Sequence, residues 1–126
     1  MKGLNNNINA FGLGDIVIGD NVMIDAGCFG EDLHLEHFGS VIVNPKARIG
    51  KGCIIHGNCC IGSNGRYPED SPVIGNHVDI GQNAQILGGI RVADNVRTGA
   101  GAVVVKDILT PGVIVVGVPA KEKCNT

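Results

Sequence analysis

Between residues 43 and 116 the sequence repeats in sixes. An aliphatic residue, or in two places a threonine, returns at every sixth position, with one interruption after Ile61. A β-strand alternates every two residues and an α-helix repeats near 3.6, so neither element explains this period. The first series comprises Val43, Ile49, Ile55, Ile61, Ile74, Ile80, Ile86, Val92, Thr98, Val104, Thr110 and Val116. A second series of small or apolar residues follows it four positions on and comprises Ala47, Cys53, Cys59, Val78, Ala84, Ile90, Val96, Ala102, Ile108 and Ile114.

A six-residue unit is long enough for one short strand and one turn. Glycine follows the first series at many positions, and glycine permits tight turns. Three units would close one triangular coil, and stacked coils would pair through parallel strands and bury an aliphatic column on each face. The pattern therefore predicts an all-β fold, a left-handed parallel β-helix of hexapeptide repeats, with residues 1–126 as a single domain.

The repeat is broken in identifiable places. Upstream it recovers as Phe29 and Leu35, and residues 1 to about 15 carry no clear repeat, which suggests a cap or extension. Between Ile61 and Ile74 the segment "SNGRYPEDSP" is rich in Gly, Pro, Asn and Asp. These residues favour turns, so we expect a protruding loop around residues 62–72.

Charge and hydropathy restrict the class of partner. The net charge of −2 gives no footprint for nucleic acid. No apolar run is long enough for a signal peptide or a membrane span, so we expect a cytoplasmic protein.

The faces of a three-sided prism are flat and pack against copies of themselves. A cyclic homotrimer with ligand sites between subunits is therefore expected.

Two stretches resemble the hexapeptide-repeat acetyltransferases, and in particular their serine acetyltransferase branch. They read "EHFGSVIVNPKARIGKGCIIHGNCCIGSNG" and "PVIGNHVDIGQNAQILGGIRVADNVRTGAGAVVVKDILTPGVIVVGVPAK", within a resemblance that covers roughly residues 29–121. The resemblance implies transfer of acetyl from acetyl-CoA to a hydroxyl acceptor, first of all L-serine. It identifies His37 as the general base, with Glu36 in place of the family's usual substrate-contacting Asp. His56, about one coil after His37, is expected to line the same groove and contact substrate.

The resemblance also implies where coenzyme A would lie. Backbone groups at Gln82 and Ala100, one coil apart, match the positions that hold the pantetheine arm, and Gly62, Ser63 and Asn64 match the segment over the thiol end. Lys106 and Lys121 are expected to meet the phosphates, because coenzyme A is strongly anionic. One family feature has no clear counterpart: the Asp that orients the catalytic His aligns near Val22 or Met23, with Asp25 out of register.

Three other functions compete with serine acetylation. A sugar or amino-sugar in surface-polysaccharide synthesis is the alternative acceptor. A metal-dependent hydratase would need three His ligands, but His34 and His37 are only three apart and His56 and His77 stand alone, so no metal site is expected. A non-catalytic assembly subunit would keep the six-residue repeat, but it would lack both the catalytic His37 and the loop that covers the coenzyme.

Overall fold

The computed structural model describes residues 28–35, 41–66 and 70–123, together with the backbone of three strands before residue 26. Within these residues the regular elements are short strands. They are β1 (Asn7–Ile8), β2 (Asp15–Val17), β3 (Val22–Asp25), β4 (Leu33–Leu35), β5 (Val41–Val43), β6 (Arg48–Ile49), β7 (Ile54–Ile55), β8 (Cys59–Gly62), β9 (Val73–Ile74), β10 (Asp79–Ile80), β11 (Gln85–Leu87), β12 (Arg91–Val92), β13 (Arg97–Thr98), β14 (Val103–Val104), β15 (Ile114–Val116) and β16 (Lys121–Glu122). No helix in the described part of the chain has the length and apolar character needed to cross a membrane.

From β4 to β14 successive strands belong to different sheets, so the chain passes around three faces in turn. The first sheet has the order β1-β4-β7-β10-β13-β15-β16, the second β14-β11-β8-β5-β3-β2, and the third β12-β9-β6. Strands from successive coils pair in parallel, and among the described strands antiparallel pairs occur only near the ends of the stack. This is the predicted left-handed parallel β-helix of hexapeptide repeats.

The core is formed by the two predicted series. Ile74 pairs with Val92 and Ile86 pairs with Val104, each 18 residues further along the chain. The inward residues of the described coils are almost fully buried and form one continuous cluster. Thr98 is the buried polar member of the column, and its hydroxyl oxygen accepts a hydrogen bond from the Gly81 N–H at 3.0 Å. Aliphatic columns rather than aromatic rings therefore hold the coils together.

The last coil departs from the predicted register. Thr110 and Val116 were expected to point inward, but both are exposed, and Ile114 is only half-buried. Ile108 and Val115 take the inward places, 16 and 17 residues after their partners in the preceding coil. The prediction was wrong here because the spacing between inward residues is four from Val104 to Ile108 and seven from Ile108 to Val115 instead of six, while pairing with the preceding coil decides which side chain faces inward.

The segment after Ile61 interrupts the coil as predicted. Ile49 pairs with Ile74, 25 residues on, so this coil is longer than its neighbours by a loop. Gly62 still belongs to β8, and the described residues that follow carry no strand until Val73. Residues 67–69 lie outside the described residues.

Close contact between coils explains the glycine that follows many inward residues. A Cβ added to Gly81 would lie 2.5 Å from the backbone oxygen of Thr98 in the next coil. At Gly75 an added Cβ would collide with the side chain of Asp94. The coils therefore stack at a distance that leaves no room for a side chain at these turns.

A Gly81→Ala substitution tests this account. We expect it to lower the free energy of unfolding by about 1–3 kcal/mol, because backbone atoms must move to admit the methyl group. The matched control is Gly62→Ala, whose added Cβ would come no closer than 3.9 Å to Asn44. Chemical denaturation of both variants should show a loss only at Gly81, and an equal loss in the two would contradict close coil contact as the cause.

Candidate active site

Two edges of the prism border the second sheet and carry most of the predicted site residues. The first edge joins the first and second sheets and contains residues 56–58, 81–83 and 99–101. The second edge joins the second and third sheets and contains residues 62–66, 88–90 and 105–107. Because the coils stack in register, each edge places equivalent residues of successive coils next to one another.

The first edge brings three predicted site residues onto one ridge. The N–H of Asn83 donates to the backbone oxygen of Gly57 at 2.9 Å, and the N–H of Gly101 donates to that of Gln82 at 2.8 Å. His56, Gln82 and Ala100 therefore lie in three successive coils along the same edge. His56 and Gln82 are half-buried and Ala100 is exposed.

His56 has an acidic partner that the sequence analysis missed. Its Nε2 lies 2.9 Å from Oδ1 of Asp79, a residue of β10 on the first sheet. The two side chains are 24% and 26% exposed, so the contact is partly shielded from water. The pairing of Ile55 with Ile80 places Asp79 diagonally across from His56, and counting the loop as an insertion in this coil would have revealed the pair.

The second edge holds the predicted loop start. Gly62 is buried, and its backbone oxygen accepts a hydrogen bond from the Gly88 N–H at 2.8 Å. Oγ of Ser63 accepts from the Gly65 N–H at 3.3 Å, and Oδ1 of Asn64 accepts from the Arg66 N–H at 2.9 Å. These hydrogen bonds turn the segment tightly at the end of β8, so Gly62, Ser63 and Asn64 lie at the same edge as Gly88.

Lys106 and Lys121 share a cleft at the C-terminal end of the prism. Its volume is about 330 Å³, and Leu109 and Val115 contribute apolar surface to it. Asp107 and Glu122 line the same cleft, so its charge is mixed. Lys106 extends the second edge, whereas Lys121 belongs to β16, which pairs antiparallel with β15.

Glu36 and His37 lie outside the described residues. The nearest described residue before them is Leu35, which ends β4 and pairs with Ile55, directly before His56. The described chain resumes at Val41, the first residue of β5 in the second sheet.

His77 lies in a turn between β9 and β10. It is exposed and has a φ of 55°. The equivalent turn residues of other coils, Asp32, Gly52, Asn95 and Gly112, also have positive φ. The His77 ring lies against Gly52, where an added Cβ would collide with it. His77 is thus part of a structural column of left-handed turns. His34, in contrast, lies within strand β4 on the first sheet. Among the described residues no group of three or more His, Cys, Asp or Glu side chains is arranged to hold a metal ion.

The adjacent cysteines Cys59 and Cys60 point to opposite sides of the second sheet. Cys53 and Cys59 are buried in the small inward column, where desolvation raises the pKa of each thiol to about 11. Cys60 is half-buried on the outer surface, and partial burial raises its thiol pKa as well. All three thiols are therefore protonated near neutral pH, and this part of the chain offers no thiolate nucleophile.

Comparisons with curated proteins and with solved structures both find serine acetyltransferases. No family model matches the sequence. A serine acetyltransferase of Helicobacter pylori strain J99 is 37% identical over 93 residues, which are 73% of this chain and 54% of that protein. The crystal structure of Neisseria gonorrhoeae serine acetyltransferase superposes with a TM-score of 0.74 at 38% identity, over 82% of this chain and 40% of the other. Soybean serine acetyltransferase complexed with serine gives a TM-score of 0.75 at 33% identity, over 81% and 42%.

The similarity covers most of this chain but a smaller share of each relative. The chain spans 38% to 54% of the length of the first curated relatives that it matches. The similarity therefore concerns only part of each of those proteins.

Proposed function

Because this chain belongs to the serine acetyltransferase-like hexapeptide-repeat proteins, we propose that it transfers an acetyl group from acetyl-CoA to a small hydroxyl acceptor, with L-serine as the first candidate. The sequence similarity to serine acetyltransferases over about three quarters of the chain carries this proposal. We place the reaction in the cytoplasm on the sequence argument alone.

His37 is the general base in this proposal. A hydroxyl is a weak nucleophile near neutral pH, and imidazole is suited to accept its proton because its ordinary pKa is about 6.5. As the proton leaves, the acceptor oxygen bonds to the thioester carbonyl carbon. The carbon–sulfur bond then breaks, and the coenzyme A thiolate takes up the proton that the imidazole has gained.

Two further residues complete the acceptor site. Glu36 precedes His37 and contributes a carboxylate for the acceptor. His56 contributes an imidazole from the first edge. Leu35 pairs with Ile55, which directly precedes His56, so the described chain reaches this edge at Leu35, the residue before Glu36. The acceptor would then lie at the first edge, beside the second sheet.

The coenzyme is proposed to lie along the second sheet. Gln82 and Ala100 are on the first edge in successive coils, which suits backbone contacts along the pantetheine arm. Gly62, Ser63 and Asn64, on the second edge of a neighbouring subunit, would cover the thiol end. The cleft that contains Lys106 and Lys121 supplies two ammonium groups for phosphate oxygens.

A homotrimer with sites between subunits is part of the proposal. The outer surface of the second sheet is a flat column that includes Ile42, Cys60, Gln85 and Val103. Ile42 is 52% exposed at the centre of its strand. An exposed aliphatic side chain on a flat strand surface favours contact with another copy, and cyclic symmetry would place the second sheet of each subunit at an interface.

We expect light scattering to give about three times the chain mass of 13.0 kDa. Ile42→Glu should shift the protein toward monomers and weaken coenzyme A binding, because a charge would be buried at the interface. The control is Val73→Glu, a similarly exposed residue (43%) on the third sheet, which should leave the trimer intact. A monomer that binds coenzyme A at micromolar concentration would contradict a site between subunits.

The role of His37 is tested by comparing His37→Asn with His77→Asn. General-base help is typically worth roughly 10²- to 10⁴-fold, so kcat should fall by that order in the His37 variant. The affinity for coenzyme A should barely change in this variant. The rise in melting temperature that coenzyme A causes on binding measures that affinity.

His77→Asn is the matched control because asparagine tolerates the positive φ at residue 77, whereas alanine would strain the turn. Its kcat should stay near that of the unmodified protein. Equal kcat values in the two variants would exclude His37 as the base.

A further inference from the structure

The loop that interrupts the repeat carries an asparagine–glycine pair near its start. Asn64 is the one asparagine in the sequence that is followed by glycine. Both residues are exposed, and a Cβ added to Gly65 would meet no atom of the described residues within 4 Å. Because glycine carries no Cβ, its peptide nitrogen is less hindered than that of any other residue, and the Asn64 side chain can reach it.

Two hydrogen bonds arrange the groups that would react. Oδ1 of Asn64 accepts from the Arg66 N–H at 2.9 Å, and this turn folds the carboxamide over the Gly65 peptide. The same N–H would stabilise negative charge on Oδ1, as a donor in an oxyanion hole does. The Gly65 N–H donates to Oγ of Ser63 at 3.3 Å, so the proton that must leave this nitrogen points toward a hydroxyl that can pass it to water.

We propose that Asn64 is a site of spontaneous deamidation. The peptide nitrogen of Gly65 bonds to Cγ of Asn64 and loses its proton to water. The bond between Cγ and Nδ2 breaks, ammonia leaves, and a succinimide ring remains. Water then opens the ring at either carbonyl, which yields aspartate or isoaspartate at residue 64. Each product carries a carboxylate, and the reaction needs no oxidant, reductant or second enzyme.

The new carboxylate would lie where the two ends of the loop meet. A Cβ added to Gly88 would lie 3.8 Å from Cβ and Nδ2 of Asn64, and a Cβ added to Gly89 would lie 3.2 Å from Cβ of Asp70. Residues 62–72 contain one arginine and two acidic residues, so deamidation changes their formal net charge from −1 to −2. The second edge would then carry two like charges on adjacent side chains.

The effect on catalysis rests on the proposed function, in which residues 62–64 cover the thiol end of coenzyme A. Negative charge develops on the thioester oxygen and on the departing sulfur during acetyl transfer. A carboxylate at residue 64 would oppose that charge, whereas the neutral carboxamide does not. We therefore expect kcat of the deamidated protein to fall about tenfold, with a change in rate that follows the fraction of modified chains.

Peptide mapping by mass spectrometry tests the site itself, during incubation at mildly alkaline pH, which favours loss of the peptide proton. Asn83 is the internal control: it is exposed too, but it precedes Ala84, whose N–H donates to the backbone oxygen of Gly81 at 3.1 Å. We expect exchange of ammonia for water at residue 64, with isoaspartate among the products, and an intact Asn83. An unmodified Asn64, or equal rates at the two residues, would overturn the proposal.

Two substitutions test the role of the Arg66 N–H. Arg66→Pro removes this donor, whereas Arg66→Ala removes the charged side chain and retains the donor. Deamidation should be severalfold slower in the proline variant than in the alanine variant. Equal rates in the two would overturn stabilisation of Oδ1 by the Arg66 N–H.

Steady-state kinetics on fresh and incubated protein tests the effect on catalysis. Gly65→Ala is the control, because its methyl group hinders attack by the peptide nitrogen. Its own starting kcat is the reference, since the φ of 84° strains alanine. The unmodified protein should lose kcat as residue 64 is modified, and Gly65→Ala should keep its starting value. Extensive modification without loss of kcat would overturn the effect on catalysis. If fresh protein shows no acceptor-dependent thiol release, the proposed function fails, and the peptide map still decides whether Asn64 deamidates.

Discussion

Backbone pairing between successive coils is the constraint on which the rest of the structure depends. The N–H of Gly81 donates to the backbone oxygen of Thr98 at 3.2 Å, and equivalent hydrogen bonds repeat from coil to coil. Such pairing allows no slippage, because a shift of one residue would turn every inward aliphatic side chain outward. It also carries each turn to a fixed edge, so residues distant in sequence become neighbours on the same ridge.

In this register the side chains that stabilise the fold and the side chains available for chemistry occupy different positions of each coil. Inward positions hold small and aliphatic side chains, whereas outward positions, and the edge positions other than the glycines in close contact with the next coil, have room for polar side chains. Cys59 and Cys60 illustrate the division, since the first fills the core and the second faces outward from the same strand. His56, at the edge, has a polar partner in Asp79 and is half-buried rather than packed into the core. A site on such a prism is consequently assembled along an edge and across a flat face.

The period of six was enough to predict the fold, the core and the loop after Ile61, because each depends on local spacing. It was not enough for the last coil, where Ile108 and Val115 replace Thr110 and Val116 in the core. Turn length decides that register, and a count of residues does not contain it. The Asp79 partner of His56 was missed for a related reason, since the pairing spans a coil lengthened by the loop. The roles of Glu36 and His37 rest on resemblance, and they stay predictions.

The most direct test of the account is thiol release from acetyl-CoA with L-serine, D-glucose and D-glucosamine as separate acceptors, with mass spectrometry of the product. We predict release that depends on L-serine and yields one O-acetylated serine for each thiol. Release that depends only on a sugar would contradict serine as the acceptor. No acceptor-dependent release with any of the three, in a protein that is folded and trimeric, would contradict the acetyltransferase account itself.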